Sequence, residues 1–251
     1  MLSEGAVAGP RCALFIPCFI EALAPATAVN LRRLCDRLAL DWYQPQDQTC
    51  CGQPSFNAGY WHEAARCAAK FVHDFADAEV VLAPTASCVA MVRQYGALTT
   101  LSSEQLAAAV AIGKRTHEIC SYLVDVLKIV DVGACHPGAV AYHDACHARR
   151  GLGIHQQPRA LLRQVRGLEL RELPGDPQCC GFGGTFSVKY PELSASMADA
   201  KLAALAATGT ATLVSTDLSC LLHLGGRAAR RGLPFVGRHV VDLLVETGGA
   251  P

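Results

Sequence analysis

The sequence has no net charge: 22 lysines and arginines offset 22 aspartates and glutamates over 251 residues. Without a basic excess there is no field to draw the chain to nucleic acid or to an anionic membrane surface. Aromatic residues make up only 6% and are not interleaved with basic ones, so a nucleic-acid-binding surface is not expected. Long apolar runs are missing too. The longest, Glu79 to Ala83 and Leu98 to Ile112, are short or broken by polar residues, and none spans a bilayer. Met1 to Pro10 contains Glu4 but no basic segment and no apolar stretch before a cleavage site, so a secretory leader is not expected and the cytoplasm is the expected location. There is no P-loop and no G-x-G-x-x-G after a strand, which leaves nucleotide and nicotinamide chemistry without support.

The chain is rich in cysteine. It has thirteen, an odd number, and in the cytoplasm structural disulfides are rare, so metal or cluster ligation is the expected use. No two are spaced C-x-x-C, which removes the zinc-ribbon, thioredoxin and covalent-haem patterns, and the C-x-x-C-x-x-C run of bacterial ferredoxins is absent as well. Instead there are two vicinal pairs, Cys50-Cys51 and Cys179-Cys180, each followed by glycine. Adjacent thiols cannot bond to each other without straining the peptide between them. Each pair also sits in a wider frame. Cys18 precedes the first pair and Cys88 follows it, whereas Cys146 precedes the second and Cys220 follows it. The frames superpose with offsets of 128, 129, 129 and 132 residues, the mark of a tandem repeat whose unit is a four-thiolate site.

Elements fall in matching order around the frames. In the first half, strands are expected at Cys12 to Pro17, Leu40 to Tyr43 and Val80 to Ala83, and helices over 26–38, 59–75 and after Cys88. In the second, strands are expected at 139–142, 168–173 and 212–215, with helices over 158–165 and 192–207. Each half ends in a histidine, His117 or His239, heading an apolar helical segment. Alternating strands and helices imply parallel sheets with right-handed crossovers, an α/β architecture of two Rossmann-like repeats over 11–127 and 139–247 with a connector at 128–138. All eight framed cysteines then lie in loops at strand ends, converging on the sheet rim where ligands gather.

Four thiolates from three loops suit an iron–sulfur cluster and suit tetrahedral zinc nearly as well. Gly52 and Gly181 leave room for an inorganic core and tolerate positive φ. In Gly181-Phe182-Gly183-Gly184 the bare backbone can bring amides towards sulfur. His143 and His147 flank Cys146 as ligands or as hydrogen-bond donors to sulfur. Cys12, Cys35, Cys67 and Cys120 read as small core residues, and Cys135 fits either role. Arg149, Arg150, Lys189, Arg227, Arg230 and Arg231 form either a solvated surface or a cationic field for cluster charge, a carboxylate or an acidic partner.

The runs Cys50-Cys51-Gly52-Gln53-Pro54, Ser87-Cys88, Tyr142-His143 through Cys146, Cys179 through Lys189, and Ser219-Cys220-Leu221-Leu222 resemble the cysteine-rich CCG-domain family. Within it they are similar to the lactate utilisation protein A family. The resemblance covers nearly the whole chain. It implies an iron–sulfur protein that acts with two other proteins, one carrying ferredoxin-type motifs, to oxidise L-lactate to pyruvate. It implies Cys18, Cys50, Cys51, Cys88, Cys146, Cys179, Cys180 and Cys220 as ligands of one or two 4Fe–4S clusters, or of one cluster and one zinc. In the related cysteine-rich subunit of heterodisulfide reductase a fifth cysteine completes a non-cubane cluster. Here that position holds Met91 in the first half and His223 in the second, so each site is one thiolate short. Thiol–disulfide catalysis and a zinc-stapled scaffold are the rival functions.

Overall fold

The computed structural model describes residues 9–98, 100–175 and 178–248. The start of the N-terminal stretch, at 1–8, and residues 176 and 177, between the strand expected at 168–173 and Cys179, lie outside the described residues. The first half runs β1 (Cys12–Leu14), α1 (Cys18–Leu23), α2 (Pro25–Arg37), β2 (Trp42–Tyr43), α3 (Gln53–Ala58), α4 (Trp61–Asp74), β3 (Val80–Ala83), α5 (Ala86–Arg93), α6 (Ser103–Arg115), β4 (Thr116–Glu118) and α7 (Ile119–Ser121), which continues as a π-turn over Tyr122–Val126. The second runs β5 (Cys135–Tyr142), a π-turn (His147–Gly151), α8 (Gln156–Gln164), β6 (Arg166–Glu172), α9 (Thr185–Lys189), α10 (Pro191–Ala207), β7 (Thr212–Ser215), α11 (Leu218–Arg230), β8 (Val236–His239) and α12 (Val240–Leu244). The sheets are parallel throughout, in the orders β2-β1-β3-β4 and β6-β5-β7-β8. The chain is therefore an α/β tandem repeat.

Side chains alternate across each strand, and both faces of each sheet are covered. Cys12, Leu14 and Leu82 of the first sheet and Val140, Tyr142 and Val214 of the second face one shared core. Ala13, Phe15, Val81 and Ala83 face a separate core under α4, α5 and α6, whereas Ala141 and Leu213 face one under α10 and α11. This two-faced burial is why the strands read as continuous apolar runs. The shared core joins the repeats into one body. Polar contacts fasten it: Thr27 Oγ1 and Asn30 Nδ2 donate to the Asp242 carboxylate at 3.1 and 2.9 Å. Arg37 donates to the carbonyls of Val132, Leu244 and Val245.

Several elements differ from the sequence reading. The strand read over Cys12 to Pro17 stops at Leu14: the Ile16 N–H goes to the Gln48 side chain at 2.8 Å instead of to a ladder, and Pro17, which has no N–H to give, serves as N-cap of α1. The helix read over 59–75 is α4, Trp61–Asp74, and a short helix absent from the sequence reading, α3, precedes it. Gly59, in the left-handed region at φ 87°, closes α3 and turns the chain into α4. Strand β5 takes in residues 135–138 as well as 139–142. Each sheet has a fourth strand, β4 or β8, where a helix headed by histidine is expected. These edge strands are short, and the helical period of the residues after them masks them. Ala83 pairs with Glu118 and Ser215 with His239, so the residue matching His239 is Glu118 rather than His117. Both are N-caps, the Glu118 side chain accepting from Ser121 N and His239 Nδ1 from Val241 N.

Candidate metal-binding site

Three segments bring the first four thiols together. Cys18 opens α1, Cys50 and Cys51 end the loop from β2, and Cys88 lies in the first turn of α5. The thiols stand in a row. The neighbouring thiols of Cys18 and Cys51, with the Gly52 N–H at 3.4 Å, push the pKa of Cys50 down to about 3. Cys18 is pushed up by its contact with Cys50 and by burial, and Cys51 by its contacts with Cys50 and Cys88 and by burial. The Tyr95 hydroxyl fixes the loop by donating to the Cys51 carbonyl at 2.9 Å.

The second half repeats the row. The neighbouring Cys146 and Cys180 thiols, with the Gly181 N–H at 3.4 Å, push Cys179 down to about 2. The Cys180 thiol lies 3.1 Å from Cys220 Sγ, which is pushed down to about 7 by that contact and by His143 against the effect of burial. The Phe182 N–H points at Cys180 Sγ at 3.5 Å. Four of the eight cysteines, Cys18, Cys88, Cys146 and Cys220, sit in first turns of helical segments rather than in the expected loops. Helix N-termini favour thiolate, so the difference bears on charge as well as position.

His143 is fully buried, neither ring nitrogen makes a hydrogen bond, and one lies with Cys180 Sγ and Cys220 Sγ in a group whose donor atoms are all within 4.8 Å. A buried imidazole without a partner beside two thiols is what a metal ligand looks like before the metal is considered. His223 is differently placed. Its Nε2 contacts Ser194 Oγ at 3.3 Å, and Ser194 in turn donates to the Gly181 carbonyl at 2.7 Å, so it supports the loop after Cys180.

The two groups face each other across the repeat interface. Phe19, one residue after Cys18, meets Phe182, two after Cys180, edge to face at 5.9 Å. In the symmetry-related position His147, one after Cys146, meets Gln53, two after Cys51, at 3.4 Å. Gln53 Nε2 also donates to the Ser87 carbonyl beside Cys88. An amide nitrogen only donates, so His147 Nε2 accepts and Nδ1 carries the proton towards Cys146 Sγ at 3.7 Å. One contact between the groups is apolar, the other a hydrogen-bonded chain from sulfur to the opposite ligand loop.

The remaining candidates separate cleanly. Cys12, Cys35 and Cys120 are buried in the shared core, while Cys67 lies half-buried under Gly52 and Cys135 half-buried in β5. Arg227 and Arg231 are held by Asp199, and Lys189 and Arg230 are surface residues. Sequence reasoning missed Lys201, Asp144 and Arg159, all buried charged residues beside the second group. The signal was present: Lys201 and Arg159 interrupt the apolar stripes of α10 and α8.

Four crowded thiols must share protons, because their negative charges cannot coexist unscreened. A bound cation or cluster replaces those protons. The donor set is soft sulfur, with amide N–H groups aimed at it from Gly52, Gly181 and Phe182. Both rows fit an iron–sulfur cluster or zinc, and the second offers His143 as a fifth donor.

The CCG family, a cysteine-rich domain, matches residues 12–93 and 140–225. Among curated proteins, "Lactate utilization protein A" of Geobacillus kaustophilus is 40% identical over 93% of this chain and 98% of its own length. The protein of that name in Bacillus subtilis is 35% identical over 93% of this chain and 98% of its own length. Among solved structures, glutamate racemase from Francisella tularensis covers 95% of this chain and 79% of its own. It does so at 11% identity and a TM-score of 0.35, too low to bear on function.

Proposed function

The chain belongs to the cysteine-rich CCG-domain family and, within it, to the lactate utilisation protein A family, and we propose on that premise that it is an iron–sulfur redox subunit in the oxidation of L-lactate to pyruvate. The observation that carries the reading is the assembly of all eight framed cysteines into two four-thiol rows, each with a backbone N–H on the first sulfur of its vicinal pair. Cys18, Cys50, Cys51 and Cys88 would hold one group, and Cys146, Cys179, Cys180 and Cys220 the other, within repeats 11–127 and 139–247 joined by 128–138, the last four residues of which belong to β5. When bound, a 4Fe–4S cluster supplies one-electron chemistry whose potential the protein sets through burial and hydrogen bonds to sulfur. Gly52, Gly181 and Phe182 supply such bonds from the backbone and His147 one from a side chain. The contacts of Phe19 with Phe182 and of His147 with Gln53 keep the two rows close, which suits passage of electrons between them.

Partners are part of the proposal: two further lactate utilisation proteins, one of them with ferredoxin-type motifs, in the cytoplasm. Exposed Tyr60 and Trp61 after α3, and Val188 and Tyr190 in and after α9, flank the place where those helices meet and offer apolar surface to such a partner. No helix among the described residues is long and apolar enough to cross a membrane. A second reading is favoured by His143. A histidine among thiols is a frequent zinc donor set, so zinc in the second repeat beside a cluster in the first is the competing occupancy.

The test is anaerobic purification with iron, zinc and sulfide analysis, then electron paramagnetic resonance before and after dithionite. About four irons with matching sulfide per occupied repeat and a signal appearing on reduction are expected. Cys51→Ser and Cys180→Ser should each remove the iron of one repeat only. Stoichiometric zinc without sulfide in both repeats would refute the redox reading.

A further inference from the structure

Beneath the cysteine rows the two repeats diverge. His143 stands 128 residues after Phe15, the offset of Cys146 from Cys18. Ala64 and Cys67 lie under Gly52 as Ser194 and Met197 lie under Gly181, an offset of 130 that sets Lys201 where the first repeat has Phe71. Phe15 and Phe71 touch edge to face at 4.9 Å in the first repeat. The second repeat has thus exchanged a contacting aromatic pair for an imidazole and an ammonium group. Lys201 is 5% exposed, and among the described residues it makes no hydrogen bond or ion pair. Its Nζ is not closed off as the His143 nitrogens are but opens on a cavity, and a cation so enclosed is unfavourable without a counter-charge, so the open side of Nζ is a place for an anion.

Lys201 lines a cavity of about 220 Å³ beside the second cysteine row, together with Arg149, His155, Arg159, Asp144 and Glu172. Both carboxylates are already taken. Arg159 reaches Asp144 through two bonds of 2.8 Å and Glu172 through two more of 2.8 Å. His155 Nδ1 lies 3.0 Å from Asp144, and Arg149 lies 3.5 Å from it. Three cations against two carboxylates leave the described lining with one positive charge, on the groups around Lys201. Burial depresses the lysine pKa, while the negative charges of Cys180, Asp144 and Cys179 oppose that, so the ammonium sits between the thiols and the cavity. The corresponding cavity of the first repeat is lined by Ile16, Glu21 and Asp47 among others, with Glu21 at the place of Arg149 and no cation. At about 220 Å³ the second cavity is smaller than the roughly 300–1,000 Å³ of drug-sized pockets, and too small for a nucleotide.

We propose that this cavity binds a small carboxylate, a three-carbon 2-hydroxy or 2-oxo acid, through Lys201 and Arg149, with His155 as a hydrogen-bonding group for its second oxygen. The choice of acid rests on the redox reading given above; the anion site rests on the cavity alone. The site would hold the acid within reach of the second cysteine row and not of the first.

The test is isothermal titration calorimetry of the full chain, purified anaerobically, with L-lactate, pyruvate and uncharged L-lactamide, and iron and sulfide measured on the same samples. Saturable binding of at least one acid is expected, with no binding of L-lactamide. Lys201→Met and Arg149→Gln should each weaken that binding by at least about tenfold. Lys201→Met keeps the length of the side chain and Arg149 is partly exposed, and a thermal melt of each variant verifies folding. Absence of saturable binding in the wild type, equal binding of L-lactamide, or unchanged affinity in folded Lys201→Met overturns the proposal. Acid binding by a chain without iron and sulfide upholds the site and sinks the redox reading. An iron-loaded chain that binds neither acid does the reverse.

Discussion

Replacing Gly181 by alanine tests why glycine follows each cysteine pair. Gly181 has φ 90°, and an added Cβ would come within 2.6 Å of the Ser194 carbonyl oxygen and 3.0 Å of Met197 Cβ. The carbonyl is backbone of α10 and cannot swing aside. Gly52 has a similar φ of 82°, but its Cβ would meet Cys67 Cβ at 3.0 Å and the Ala64 oxygen at 3.3 Å, distances a small shift relieves. Gly59, at φ 87° with nothing within 4 Å, isolates the conformational cost. That cost is about 1–2 kcal/mol for an L-residue in the left-handed region, and a hard overlap adds about 1–3 kcal/mol. The expected order of destabilisation is Gly59→Ala at about 1, Gly52→Ala at about 2 and Gly181→Ala at about 4 kcal/mol. For a chain of this size the last lowers the melting temperature by roughly 8–16 °C. Urea and thermal unfolding of metal-free chains measure the order without interference from bound metal. Iron content after reconstitution then shows whether the second repeat alone loses its group in Gly181→Ala. Equal destabilisation by all three substitutions would refute the steric argument and leave only φ.

Glu118 is fully buried, its Oε1 has no partner, and burial pushes its pKa up to about 7. The folded state therefore keeps a proton that the unfolded carboxyl releases near pH 4.5, and wild-type stability falls as pH rises from 4.5 to 7. At 1.36 kcal/mol per pH unit this amounts to about 3 kcal/mol, absent below pH 4.5 and complete above 7. Denaturation midpoints of Glu118→Gln and wild type should diverge by that amount between about pH 4.5 and 7.5, and a pH-independent gap would refute the burial argument. His147→Phe places in the second repeat the residue the first has at Phe19, and removes an N–H from Cys146 Sγ. Spectroelectrochemical titration should find the second-repeat group shifted to more negative potential, with iron content unchanged; an unmoved midpoint would remove His147 from the tuning of that site.

The division into repeats was legible because cysteine frames keep their spacing while the surrounding residues drift. Strands β3 and β7 were readable to the residue, since each has an apolar or β-branched run buried on both faces and is bounded by turns. Edge strands β4 and β8 were not. They are short, Thr116, His117, Gly237 and Arg238 carry no strand period, and their assignment comes from pairing with β3 and β7. The roles of His143 and Lys201 were only half legible. A histidine three residues before a cysteine announces proximity, but not that both ring nitrogens are orphaned. A lysine in a helical stripe announces an anomaly, but not the cavity it faces.

By itself the sequence determined the α/β class, the tandem repeat and the eight thiols, because each rests on local period or on spacing within one chain. Tertiary structure decided which residues from separate segments come together: Phe19 with Phe182, His147 with Gln53, and Lys201 with the Arg159 network around one cavity. It also decided that the two four-thiol rows differ, one lying over aromatic rings and the other over an imidazole and an ammonium group. Such differences arise when about 30 to 40 residues of intervening chain are folded back on one sheet rim. Close packing there makes the identity of each neighbour matter, and no spacing in the sequence specifies those neighbours.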